Sequence, residues 1–209
     1  MEVGDTIVGY FRLGRRRPKT PVRTLDSIRQ ECWDEALHCF ATYTMFERRS
    51  SLLRKKLRML TFLGVVVPAS VGAAFMSFGA KSNLTIAFLA IASILGLVQL
   101  VGSIWSLTNR WDDDFGYAVE SLSANRTFFE RFKALAEHPP KVEEANYRYD
   151  LLQAESQSRS MSDEKQGISE AEKRYGMRAA LRQLQRKCAC CVQIPTSMRS
   201  SECDVCGNF

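Results

Sequence analysis

Two stretches decide the fold: Met59–Phe78, MLTFLGVVVPASVGAAFMSF, and Leu84–Leu107, LTIAFLAIASILGLVQLVGSIWSL. Between Met59 and Asn109 there is a single charged side chain, Lys81. At 1.5 Å of helical rise per residue the runs reach about 30 Å and about 36 Å, enough to cross a bilayer core of about 30 Å. Neither run has a polar face, which separates them from the amphipathic helices of a soluble bundle. The joining segment Gly79-Ala80-Lys81-Ser82-Asn83 reads as a turn that brings the second run back antiparallel to the first. The expectation is a two-span transmembrane hairpin over residues 59–107.

Whole-chain averages conceal this. The chain has 209 residues, 45% hydrophobic and 25% charged, with a net charge of +6 and a mean hydropathy of −0.19. Those are the values of an ordinary soluble domain, and they exclude a disordered chain and a collagen-like repeat. Seven cysteines, unevenly placed, argue against a disulfide framework.

Charge sets the expected orientation. Arg48, Arg49, Arg54, Lys55, Lys56 and Arg58 crowd the entry to the first run, and Arg110 closes the second. The turn offers only Lys81, so the positive-inside rule places both termini in the cytoplasm of a multi-pass inner-membrane protein. Trp105 and Trp111 fit an aromatic anchor at that interface. Within the runs, Gly64, Pro68 and Gly72 recur every fourth residue, a spacing that lets helices approach closely in lipid. Pro68 lacks an N–H and predicts a kink. Gln99 is the strongly polar side chain deep in the second run; it either lines an oligomeric pore or hydrogen-bonds a neighbouring helix. One hairpin cannot enclose water, so a channel requires a homo-oligomer.

Outside the hairpin the chain reads as helical. Residues 1–24 form a Gly- and Pro-punctuated arm with a basic cluster of Arg15, Arg16, Arg17, Lys19 and Arg23. Over 25–58, Leu25, Ile28, Cys32, Ala36, Cys39 and Tyr43 make an apolar stripe. Over 108–138, Phe115, Ala118, Leu122, Asn125, Phe129, Phe132 and Ala136 make a heptad seam with one polar position. The two helices predict an antiparallel stalk below the membrane, although the seam equally suits a contact between subunits. Cys32 and Cys39 read as packed thiols, and His38 and His138 as helix-surface residues.

Pro139-Pro140 ends that helix, and residues 139–187 carry further helices. One is expected over Val142–Ser158 with Tyr149 and Leu152 as anchors, followed by a Ser-rich linker over Gln157–Gly167. Ser169-Glu170-Ala171-Glu172 resembles a capping box opening the next helix. On it Arg174, Arg178, Arg182 and Arg186 fall four apart, giving either a phosphate or acidic-partner surface, nucleic acid included, or a solvated face.

The sharpest chemical signal is Cys188-x2-Cys191, eleven residues, then Cys203-x2-Cys206. Two intervening residues let both thiolates of a knuckle grip one tetrahedral zinc. The expectation is a structural Zn2+ in a small zinc ribbon over residues 188–207, with Gly207 supplying a tight backbone turn and Cys190 left over. Redox-active CxxC pairs are the alternative. Four thiolates leave no open position for catalysis, and no P-loop, GxSxG or HExxH occurs, so no enzyme activity is expected. The fold expected overall is an all-α membrane protein, a helical hairpin extended by long cytoplasmic helices and ending in that ribbon.

Paired stalk helices, two spans around a five-residue turn and cytoplasmic termini resemble the SLATT family, the SMODS and SLOG-associating two-transmembrane effectors. The segment RYGMRAALRQLQRKCACCVQIPTSMRSSECDVCG, Arg174 to Gly207, is similar to the subgroup found on mobile elements and named for its CxxC-x11-CxxC pattern. The resemblance covers roughly residues 25 to 207. It implies an effector of prokaryotic conflict or antiviral defence that oligomerises and permeabilises the inner membrane when an upstream sensor protein or nucleotide signal triggers it. No nucleotide-sensing domain is legible in this chain.

Overall fold

The structure, a computed structural model, describes residues 23–78 and 83–209. The basic arm up to residue 22 and the turn residues 79–82, with Lys81, lie outside the described residues. Among the described residues there are five helices and no strand: α1 (Leu25–Phe78), α2 (Asn83–Thr108), α3 (Trp111–Glu137), α4 (Val142–Glu164) and α5 (Glu170–Gln183).

α1 is one helix of 54 residues, about 81 Å long, and its two halves meet different surroundings. It runs unbroken through Pro68. In the first half Ile28, Cys32, Ala36 and Cys39 are buried at the expected 3–4 spacing. α3 lies beside them and contributes Phe129, Phe132, Leu135 and Ala136. Pro139 and Pro140 turn the chain back, and α4 completes the core with Ala145, Tyr149 and Leu152. Edge-on aromatic contacts lock this layer, Phe40 on Phe129 at 5.1 Å and Phe132 on Tyr149 at 6.2 Å.

Two seams differ from their simple patterns because each helix serves two neighbours. On α1 the stripe leaves Tyr43 half-buried and continues through Ala41, Met45 and Phe46. The reason is α5, which packs on that face: a Cβ on Gly176 would lie 2.3 Å from the Ala41 carbonyl oxygen, so only glycine permits the approach. On α3, Phe115 and Leu122 are half-buried, whereas Ser121 joins the buried set because it faces α4.

The Ser-rich segment expected as a linker is instead the last two turns of α4, which runs to Glu164. Asp163 explains it. This carboxylate is 3% exposed and accepts hydrogen bonds from Tyr117 Oη (2.8 Å), Ser121 Oγ (2.7 Å) and Asn125 Nδ2 (3.0 Å), all on α3. The Arg159 guanidinium pairs with it at 3.2 Å and with Glu120. Burial, then the hydrogen bond to Asp163, pushes the Tyr117 pKa up to about 12, so its hydroxyl stays a donor. Composition suggested a solvated linker; one buried acceptor converts the segment into a docked helix end. The polar seam position Asn125 is one of its donors.

Between α2 and α3 the helix direction is reset at Arg110, which adopts a left-handed conformation (φ 52°). Asp112, Asp113 and Asp114 fill the first turn of α3, where carboxylates complement the helix dipole, and Arg110 Nε pairs with Asp113 at 2.7 Å.

In its second half α1 still meets α3 through Arg54 on Phe115 and Lys56 on Trp111, and its apolar run packs against α2. Gln99 lies against Gly64, where an added Cβ would come within 2.8 Å of its Nε2, and Leu60 presses on Gly102. No comparable neighbour meets Gly72 or Gly96. The most apolar window of each helix is almost wholly exposed within the chain, 6% buried in α1 and 0% in α2. Helices buried in a soluble bundle would show the reverse. Both are long and apolar enough to cross a membrane.

Two outcomes follow from this packing. Asp163→Ala removes the acceptor shared by Tyr117, Ser121 and Asn125 and one of the two carboxylates paired with Arg159, and should lower stability by about 3 kcal/mol in chemical denaturation. Limited proteolysis should then cut within 157–167, a segment the wild-type chain protects. Burial also pushes the Cys32 and Cys39 thiols up from 9.0 to about 11 and about 12. The unfolded chain ionises them at the lower value, so stability should fall as pH climbs from 9 toward 12. At neutral pH an alkylating reagent should spare both until the chain is denatured and label the exposed Cys190.

Candidate metal centre

The chain leaves α5 through Leu184 and enters a turn at Gln185 (φ 51°) before the first knuckle, Cys188 to Cys191. That knuckle closes on itself, the Val192 N–H donating to the Cys188 carbonyl and the Cys188 N–H to that of Gln193, each at 3.0 Å. Val192 takes the left-handed conformation (φ 57°) that ends the turn. The second knuckle, Cys203 to Cys206, repeats the device: the Gly207 N–H donates to the Cys203 carbonyl at 2.8 Å, and Asn208 is left-handed (φ 53°). Gly207 therefore does not supply a positive φ. Its Cβ would lie 2.0 Å from the Ser201 carbonyl oxygen, so glycine is required for close approach of two backbones.

The knuckles face each other. All four cysteine Sγ atoms lie within 4.8 Å of one another. Cys188 and Cys203 are 3.8 Å apart, as are Cys191 and Cys206. A tetrahedral zinc with Zn–S of about 2.3 Å requires S···S edges of about 3.8 Å. A disulfide requires about 2.05 Å, so these pairs are not bonded to one another. The donor set thus fits a four-thiolate metal, with zinc as the natural occupant, held by Cys188, Cys191, Cys203 and Cys206. Backbone N–H groups of Cys206 and Val205 aim at Cys203 and pull its pKa down to about 6, whereas burial raises that of Cys206. Cys190 is exposed at the rim and outside the set of four.

The site is attached to the bundle by α5. Leu181 packs on Cys188 and Cys206, with Leu37 of α1 and Met177 against the same cluster. α5 itself is started by a complete capping box: the Ser169 side chain accepts from the Glu172 N–H, and the Glu172 carboxylate accepts from the Ser169 N–H.

The structure divides the arginines expected as one stripe. Arg178 is 9% exposed and turned into the tail, donating to the Ser197 carbonyl (2.8 Å), Ser201 Oγ (3.1 Å) and the Cys206 carbonyl (3.0 Å). Its Nη1 lies 4.0 Å from the Cys206 sulfur, where a cation offsets the excess negative charge of four thiolates. Arg186 lies beyond the helix and pairs with Asp34 of α1. Arg174 is half-buried, and Arg182 alone of the four is exposed. No four-guanidinium face exists. Sequence spacing could not separate these roles because the tail that captures Arg178 is irregular and carries no helical period. His38 and His138 are both exposed, the latter capping α3, and neither reaches the cluster. Of the span candidates, Gly64 and Gln99 meet inside the hairpin, whereas Pro68 and Gly72 stay exposed.

Residues 29–209 match the family described as Mobilome CxxCx(11)CxxC protein. The chain belongs to that family. The spacing that names it is the one that builds the four-thiolate site, and the match takes in the helical bundle and the apolar hairpin with it. No curated protein and no solved structure matches this member of the mobilome family.

With so short a segment, a bound metal would supply folding energy to the tail. Elemental analysis should find one zinc per chain. A strong chelator should release it and expose residues 188–207 to protease, leaving the helical signal of α1–α4 in place. Arg178→Gln should weaken zinc by about 10–100-fold in a competition assay without changing stoichiometry.

Proposed function

We propose that the chain is a two-span effector of a prokaryotic conflict or antiviral defence system that oligomerises and permeabilises the inner membrane when triggered. The observation that carries the membrane part is the exposure of both apolar helices within the chain. Apolar surface on this scale must be covered, and a bilayer covers all faces of a hairpin at once. Arg54, Lys55, Lys56 and Arg58 ring one end, and Lys56 lies 4.9 Å from the Trp111 ring, a basic and aromatic collar suited to the cytoplasmic interface. On that reading the head and both termini are cytoplasmic, where a reducing milieu favours thiolate–zinc over disulfide. The effector part rests on the resemblance to two-transmembrane SLATT proteins and on membership of a family carried by mobile elements. Gly72 and Gly96, open on the hairpin surface, leave room for close helix contact between copies.

Gln99 packs within its own hairpin, which favours its reading as a helix-packing residue. This lends weight to a second reading, a non-conducting anchor that tethers the zinc-bearing head for binding a partner. Reconstitution separates the two. Full-length protein in liposomes loaded with a self-quenched dye should release it in steps that grow with protein-to-lipid ratio. Insertion without release at any ratio would leave the tether and remove the permeabilising role.

A further inference from the structure

α5 rests on α1 and stands clear of α3, which leaves a cleft of about 710 Å³ floored by α1 and walled by α3 and α5. That volume is in the range of small-molecule sites, roughly 300–1,000 Å³. Two half-buried aromatic residues on α1, Trp33 and Tyr43, line it ten residues apart, about 15 Å along the helix. Beneath them Phe40 and Phe129 form a packed apolar base.

The charged lining carries three cations and two carboxylates. Arg126 and Lys133 on α3 and Arg182 on α5 border the cleft, and among the described residues none of the three makes an ion pair or donates a side-chain hydrogen bond. Three other cations of the head are paired, Arg23 with Asp150, Arg131 with Glu155 and Arg186 with Asp34. Two carboxylates share the lining, Glu47, which accepts from the Tyr43 hydroxyl at 3.3 Å, and Glu130. Cations left unpaired around ring-bearing walls provide what a flat base joined to a phosphate requires, stacking and charge neutralisation in one groove. The carboxylates add acceptors for exocyclic amines or sugar hydroxyls.

We infer that the cleft between α3 and α5 binds a nucleotide, free or as part of a single strand, with Trp33 and Tyr43 stacking on bases and Arg126, Lys133 and Arg182 holding phosphates. The site is separate from the zinc centre and does not depend on what the hairpin does in a membrane.

The test uses the full chain in detergent with zinc bound. A labelled single-stranded hexanucleotide is titrated at low salt by fluorescence anisotropy, with ATP, adenosine and pyrophosphate as competitors. The expected result is saturable binding that Arg126→Gln/Arg182→Gln and, separately, Trp33→Leu each weaken at least tenfold. Circular dichroism and zinc content should be unchanged in both variants. ATP competing as well as the strand would identify a free nucleotide, and the strand alone binding would identify single-stranded nucleic acid; either supports the site. Binding that the double arginine variant leaves intact would place nucleic acid elsewhere and overturn the inference. So would absence of binding at low salt, or pyrophosphate competing as well as ATP with Trp33→Leu silent, the signature of a mere anion patch.

Discussion

One unbroken backbone, α1, passes through two environments that cannot be exchanged. Its first half is buried by three other helices, with Ile28, Cys32 and Ala36 each fully buried, and its second half meets α2 on one side and leaves most of its apolar side chains uncovered among the described residues. Helical hydrogen bonding makes the junction rigid, since no glycine or proline interrupts α1 between Leu25 and Leu63. Every other element is positioned by this constraint. α2 and α3 run back along the same helix on either side of the Arg110 break, α4 packs on α3, and α5 docks on α1 through the Gly176–Ala41 contact.

The four-cysteine centre is tied to the same helix that forms the first apolar run, although Leu37, where it touches α1, lies about 33 Å of helix before Met59. Arg178 joins the Cys206 carbonyl to α5, Leu181 joins the cysteines to α5, and Leu37 brings α1 to the same cluster. Arg186 adds a second tie from the tail to α1 at Asp34. A bound metal would therefore organise a tail that packs on α5, and α5 forms one wall of the aromatic and basic cleft.

Much of this was legible in the sequence, for identifiable reasons. The two long apolar helices were readable because uncharged runs of that length carry no polar face, and the cysteine set because two-residue spacing is itself ligand geometry. Tyr149 and Leu152 were readable as anchors because they are large apolar residues in a polar helix. The extent of α4 was not, since its last turns are Ser-rich and depend on one long-range acceptor, Asp163, that no local pattern announces. The fate of Arg178 was hidden for the same reason. Helical spacing placed it with Arg174 and Arg182, and only the irregular tail distinguishes it. Gly207 closes the tight turn that its place after the last cysteine suggests, and the close approach to Ser201 that also demands glycine there is a tertiary fact no local pattern carries.

The central claim is that the apolar half of α1 and the whole of α2 are covered by lipid and not by protein. Alkaline carbonate extraction of membranes from cells producing the full chain tests it most directly. The account predicts that the protein stays in the membrane pellet with integral proteins and is freed only by detergent. Recovery in the soluble fraction, as a folded and zinc-loaded helical assembly, would contradict it.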